Sequence, residues 1–146
     1  MWKKKKTISK SKNPSRASSM RKADEAFSLF IRTRDAQQYE GRAFRCISCG
    51  KVLPIEKADC GHYVNRQHMS LRYSELNCNA QCISCNRFDE GNTSGYRKGL
   101  IEKIGQQRVE LLEALKHTPN KLSASDLEFI AKHYRAETKK FKYQIR

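Results

Sequence analysis

The chain has 146 residues, 38% of them hydrophobic, and a formal net charge of +15. This is the length of one domain with a modest core, so something besides apolar packing is expected to help hold it together. The run Lys3, Lys4, Lys5, Lys6 leads into Ser, Asn and Pro, and no window has the apolar length of a bilayer span; both observations argue against a signal peptide and an integral membrane protein, so a soluble, cytoplasmic chain is expected.

The charge is concentrated. Residues 1–22 carry nine positive and no negative charges, and residues 132–146 carry six positive charges against Glu137, so fourteen of the fifteen net charges sit at the two ends. A nearly neutral body with basic extensions suits a polyanion, and nucleic acid is the commonest such partner. A solubilising surface and an anionic membrane are the competing readings, but solvated charge runs usually mix signs and the first 22 residues do not.

In chain order, residues 1–19 hold few apolar side chains and are expected to form a disordered, or DNA-ordered, arm. Over residues 19–39, Ala23, Phe27, Phe30 and Ile31 recur at helical spacing and predict an amphipathic helix. Residues 44–54 read as a hairpin knuckle, residues 58–64 as a short strand, and residues 65–81, which have no clear period, as loop. After Cys85 the pattern is helical, with breaks expected at Gly91, Gly95 and Gly105. Val109, Leu112 and Leu115 predict a further helix ended by Thr118-Pro119-Asn120. Ser125-Asp126-Leu127-Glu128 has the form of a capping box, and Leu127, Ile130, Ala131 and Tyr134 then make one apolar stripe that should pack on the body.

The strongest chemical signal is a pair of knuckles, Cys46-Ile47-Ser48-Cys49-Gly50 and Cys82-Ile83-Ser84-Cys85-Asn86. In each, the two-residue gap lets both thiolates turn to one metal, and together they supply the tetrahedral thiolate set of a structural Zn2+ site. Free thiols or a redox CxxC explain the duplicated spacing less well. Such a site leaves no coordination position for a substrate and would stand in for missing core. Cys60 and Cys78 read by default as buried cysteines; a second metal site joining them to His62 has no recognised ligand spacing.

The 32 residues between Cys49 and Cys82 exceed what a zinc ribbon needs, so this insertion should carry something besides the metal. It holds Asp59-Cys60-Gly61-His62-Tyr63, then Arg66, His68, Arg72 and Asn77, and Asn86 directly follows the last cysteine. This arrangement resembles the HNH, or His-Me finger, nucleases that place two zinc knuckles around the active site. More narrowly, Gly61-His62-Tyr63, Leu71-Arg72, Asn77-Cys78-Asn79-Ala80-Gln81-Cys82, Cys85-Asn86 and Gly91-Asn92, with Tyr96 and Gly105, resemble the NinG (Rap) family of phage recombination proteins over about residues 44–115. The resemblance implies a zinc-stapled ββα core; with the helices and the basic N-terminal arm read from spacing and composition, the expected fold is α+β. The chain then divides into an arm, residues 1–19, and one nuclease-like domain, residues 20–146, with its core in 44–105.

Phosphodiester hydrolysis needs a base to activate water and a positive centre to offset charge on the phosphate, tasks that suit a neutral histidine and an oxygen-bound divalent ion. The resemblance gives these roles to His62 as base, Asn77 as the residue that orients the site and Asn86 as an oxygen ligand of Mg2+ or Mn2+. The pattern departs from the usual one at Gly61, where an Asp or His would donate to the metal. Asp59 is the nearest acid, but strand alternation sets it opposite His62 unless a bulge at Gly61 brings the two together. Asp89 and Glu90 are the alternative acids. The plain reading of His62 is a satisfied structural histidine, and His68, His117 and His133 read as surface residues. Arg66, Arg72 and the four N-terminal lysines Lys3, Lys4, Lys5 and Lys6 are the candidate phosphate contacts. The function so implied is a metal-dependent endonuclease on branched DNA such as Holliday junctions and D-loops, with a homodimer as candidate assembly. The alternatives are a non-catalytic zinc-stabilised DNA-binding module and a sequence-specific HNH nuclease.

Overall fold

The structure is a computed structural model that describes residues 13–145, so Lys3, Lys4, Lys5 and Lys6 lie outside the described residues. Its elements are helices α1 (Arg16–Asp35), α2 (Thr93–Ile104), α3 (Gln106–Leu115) and α4 (Ala124–Thr138), and strands β1 (Ala43–Arg45), β2 (Val52–Pro54), β3 (Ala58–His62) and β4 (Cys78–Cys82). The fold is mixed α+β, with two small antiparallel sheets, β1–β2 and β3–β4. Among the described residues no helix is long and apolar enough to cross a membrane.

α1 starts earlier than its apolar spacing suggests, inside the stretch expected to be arm, because the Ser15 side chain accepts from the Ser18 amide and caps it at Arg16. Ser19, the expected boundary, is buried and donates to Glu128 at 2.8 Å. That bond also corrects the capping box of α4. The box is built from Ser123 and Asp126, two residues upstream of the Ser125–Glu128 pair, which leaves Glu128 free to turn to α1.

α1 and α4 run side by side in the same direction. Arg16 donates to the Leu122 carbonyl at one end, and Gln37, just past α1, donates to the Tyr143 carbonyl at the other. Between these ties lies the largest apolar cluster, in which Leu127, Ala131 and Tyr134 of the expected stripe meet Phe27, Phe30 and Ile31. Phe27 and Tyr134 pack edge to face with centroids 4.8 Å apart. Burial of each such side chain contributes about 1.5–3 kcal/mol.

β4 overturns the loop expectation for residues 65–81. Its five residues are all buried, so there is no in-out alternation to read. Asn79 and Gln81 are tolerated inside because none of their fully buried polar atoms lacks a partner. Asn79 accepts from Arg34 (3.2 Å) and Lys103 (2.6 Å) and donates to the Tyr96 hydroxyl, and Gln81 donates to Ser48 (2.8 Å) and the Gly91 carbonyl (2.6 Å). Asp35, at the end of α1, accepts the Ala80 amide at 2.7 Å and so fixes that helix to β4.

The helical segment after Cys85 is also divided differently from expectation. A wide helical turn, Ser84–Phe88, ends in left-handed Glu90, Gly91 and Asn92, and α2 then runs straight through Gly95. Gly95 and Gly99 are not breaks but points of close approach. A Cβ on Gly99 would stand 2.0 Å from the Ile47 carbonyl oxygen and one on Gly95 2.6 Å from that of Ser48, so α2 lies directly on the backbone of the first knuckle.

Candidate functional site

The four knuckle cysteines converge. One donor atom from each of Cys46, Cys49, Cys82 and Cys85 lies within 4.8 Å of the others, which can hold a metal such as zinc. Gly50, at φ +72°, closes the first knuckle by returning its amide to the Cys46 carbonyl. N–H groups point at the sulfurs, from Cys82 to Cys46 (3.3 Å), from Cys85 to Cys82 (3.4 Å) and from the Asn92 side chain to Cys85 (3.4 Å). Burial pushes the Cys82 thiol up to about 12, a cost that a bound dication removes. Cys46 is also buried, yet the amides of Cys49, Cys82 and Ser48 hold it below the ordinary thiol value. Asn92 also caps α2 through the Gly95 amide, so one residue ties the metal cluster to that helix.

The stapled segment places β3 beside β4 in unbroken register, from Ala58 opposite Cys82 to His62 opposite Cys78. No bulge interrupts the pairing at Gly61, and Asp59 and His62 do leave opposite faces. They nevertheless border one cavity of about 230 Å³. Cys60, Arg66, Asn86 and Arg87 complete that side, with Asp24 and Ser28 of α1 opposite. The absence of an acid at position 61 also has a physical basis, since a Cβ there would stand 2.2 Å from Gln81 Oε1.

His62 is half-buried, and its Nε2 lies 2.9 Å from the Arg72 carbonyl. A carbonyl can only accept, so in the neutral ring Nε2 carries the proton and Nδ1 keeps the lone pair. Burial lowers the affinity of His62 for a second proton and the nearby Arg72 charge adds to this, outweighing the hydrogen bond to the Arg72 carbonyl. Asp59 behaves oppositely to a simple buried acid. Desolvation pushes its pKa up, but the hydrogen bonds from Arg87 and Asn86 and the Arg87 charge together hold it below the usual carboxylate value. Arg87 grips both oxygens (2.8 and 2.7 Å), and Asn86 Nδ2 donates to Oδ2 at 2.9 Å.

Asn77 lies away from the cavity. Fully buried, it donates to the Val64 and Leu71 carbonyls (2.9 and 3.2 Å) and accepts the Val64 amide (2.8 Å), clasping the loop between β3 and β4. Tyr96 locks the same junction, donating to the Gly61 carbonyl at 2.7 Å and to that of Asn77 at 3.3 Å. Arg72, expected to grip phosphate, is committed to Asp24 (2.9 and 2.6 Å) and to the Arg66 carbonyl (3.0 Å), whereas Arg66 is exposed at the cavity rim. Asp89 does not border the cavity, and Glu90 borders only a neighbouring, larger cavity that shares Cys60, His62, Arg66 and Asn86 with it. His117 and His133 are exposed and His68 is half-buried against His117. Sequence reasoning missed Arg87, Asp24 and the sulfur contact of Asn92. Arg87 had a signal, since it adjoins Asn86 and sits one turn from the cysteines.

The family model described as "Bacteriophage Lambda NinG protein" matches residues 1–144. This chain belongs to the NinG family. Two NinG relatives, the proteins named "Protein ninG" of Escherichia phage lambda and Salmonella phage P22, are each 34% identical to it over 121 residues, 82% of this chain. The "Protein ninG" of Enterobacteria phage H19B is 38% identical over 96 residues, 65% of this chain. The chain spans about half the length of these NinG proteins: 55%, 56% and 44% of them respectively. No solved structure matches it.

Proposed function

We propose that this NinG-family chain is a metal-dependent DNA endonuclease of the HNH, or His-Me finger, type, with β3, β4 and the Ser84–Phe88 turn as its ββα core. The observation that carries the reading is the meeting of His62, Asp59, Asn86 and two exposed arginines, Arg66 and Arg87, round one cavity beside β3. The lone pair on Nδ1 makes His62 the proton acceptor for water, and the hydrogen bond to the Arg72 carbonyl orients its ring. Burial keeps it neutral near pH 7.

The residues present fit a hard divalent ion. Asp59 is an ionised carboxylate, Asn86 turns its amide nitrogen to Asp59 and keeps its Oδ1 as a second oxygen donor, and a cation, the Arg87 guanidinium, already stands against the carboxylate. Arg87 is 58% exposed at its side chain, so it has room to turn to solvent or phosphate when an ion takes its place beside Asp59. The ion would stabilise charge on the phosphate and the departing oxygen. Arg66 and a released Arg87 would hold the flanking phosphates, and Phe88, 81% exposed beside them, offers a ring to an unstacked base of the kind found at branch points. Asn77 acts as a positioning residue, because it holds the loop that returns the Arg72 carbonyl to His62. The basic extensions supply sequence-independent affinity, with branched recombination intermediates as the substrate class.

The test compares a labelled four-way junction with its matched linear duplex, using wild type and His62→Ala, in Mg2+, Mn2+ or EDTA. Metal-dependent cutting of the junction, lost in His62→Ala while binding persists, is the expected result. Equal cutting of both DNAs would remove the branched substrate. Tight binding without cutting in either metal would replace the enzyme with a zinc-stabilised DNA-binding module.

A further inference from the structure

The thiols of Cys60 and Cys78 have no part in this chemistry, yet the strand register brings both to His62. Cys78 pairs directly with His62, and Cys60 lies two residues before it on the same face. One donor atom from each of the three lies within 4.8 Å of the other two. Cys78 is fully buried, and its sulfur makes only a long 3.7 Å contact to the Arg72 carbonyl that the His62 ring already uses. Cys60 and His62 border the cavity, so the cluster is closed on one side and open on the other.

We propose that Cys60, His62 and Cys78 form a second metal site, separate from the four-cysteine centre, that takes a soft, zinc-class divalent ion and keeps its fourth position open to the cavity. Donors round a tetrahedral zinc stand about 3.8 Å apart, so the three need close by no more than about 1 Å. Two thiols and an imidazole select Zn2+ or Cd2+ over Mg2+, which prefers oxygen. Binding releases the two thiol protons to solvent, and two thiolates against one dication make a neutral centre that the buried face can hold. A disulfide suits this pair less well. Cys60 and Cys78 are diagonal neighbours, a relation that sets Cα atoms about 7–8 Å apart, beyond the roughly 7 Å that a disulfide can bridge.

The consequence rests on the nuclease reading: the ion takes the same histidine lone pair that water activation needs. Zinc would then act twice on this chain, as a staple at the knuckles and as an inhibitor at β3.

The test counts ions. The full chain, kept reduced, is saturated with Cd2+ and its bound metal is counted by native mass spectrometry, for wild type, Cys60→Ala and His62→Ala. Two ions in wild type and one in each variant, with unchanged far-ultraviolet circular dichroism, are expected. One ion in wild type, or two retained in Cys60→Ala, would overturn the site. In the cleavage assay at saturating Mg2+, added Zn2+ should stop wild type at least tenfold more strongly than Cys60→Ala. Equal inhibition would overturn the regulatory role. A count of two ions with no cutting by either protein would refute the nuclease and leave the second metal site standing.

Discussion

Replacing Asn77 with alanine separates a clasp from a catalytic group. The side chain makes three buried hydrogen bonds, two to Val64 and one to Leu71, and all three partners are backbone groups that cannot follow the truncation outward. At about 1 kcal/mol net for each bond the loss comes to about 3 kcal/mol, and the orphaned Val64 amide alone could add about 1 kcal/mol more. With zinc held saturating, a urea titration followed by Trp or Tyr fluorescence should move its midpoint down by about 1.5 M at a slope near 2 kcal/mol/M. The Tyr63 amide also donates to the Asn77 carbonyl, a backbone bond that survives the substitution, so the end of β3 should stay paired and DNA affinity should change little. A loss below about 1 kcal/mol would refute the reasoning, since the loop would then be holding itself without the clasp.

Stripping zinc with a strong chelator should unfold the body, because thiolate zinc sites contribute about 10–16 kcal/mol in small domains and whole-protein stability is only about 5–15 kcal/mol; a melting midpoint that moved by less than about 4 °C would contradict this. The depressed pKa of His62 sets the pH dependence. The neutral ring is favoured by the fold, so its contribution is fully present above the unfolded value of about 6.5 and is lost as pH falls from there through the lower folded value. Accordingly the acid limb of kcat/KM for DNA cleavage should have its midpoint below about 6.5, and a midpoint at or above that value would exclude His62 as the base. Tyr96→Phe removes the hydroxyl that joins Gly61, Asn77 and Asn79 and should cost about 1–2 kcal/mol in the same urea assay. Gly99→Ala puts a Cβ 2.0 Å from the Ile47 carbonyl and should cost about 3 kcal/mol, with faster zinc loss to a chromophoric chelator as the second readout.

What could be read from the residues was whatever repeats at a fixed spacing. The knuckles were legible because two-residue gaps bring paired thiols to one point, and α1 and α4 because their apolar residues fall at helical period. β4 was illegible for the opposite reason: with both faces covered, its polar residues are held by Arg34, Lys103, Tyr96 and Ser48, partners far away in the chain. The grouping of Asp59 with His62 was also hidden. Alternation sets them on opposite faces, and only the folded structure shows one cavity bordered by both. Cys60, His62 and Cys78 could be named together from the sequence but lacked a ligand spacing, and the strand register supplies the proximity that spacing did not.

The same-direction pairing of α1 and α4 has a consequence for how the molecule could be held on a polymer. Chain reaching the arm leaves at the Arg16 end of the pair, beside Leu122, whereas Lys139, Lys140 and Lys142 gather at the other end, beyond Thr138. A 20-residue helix is about 30 Å long. The Arg16 end and the Thr138 end of the pair are therefore nearly one turn of duplex apart, about 34–36 Å. On the proposed DNA reading each end would take a separate stretch of backbone, and the second grip would be intramolecular once the first is made. On that reading two handles spaced in this way would orient a rod-shaped ligand as well as retain it.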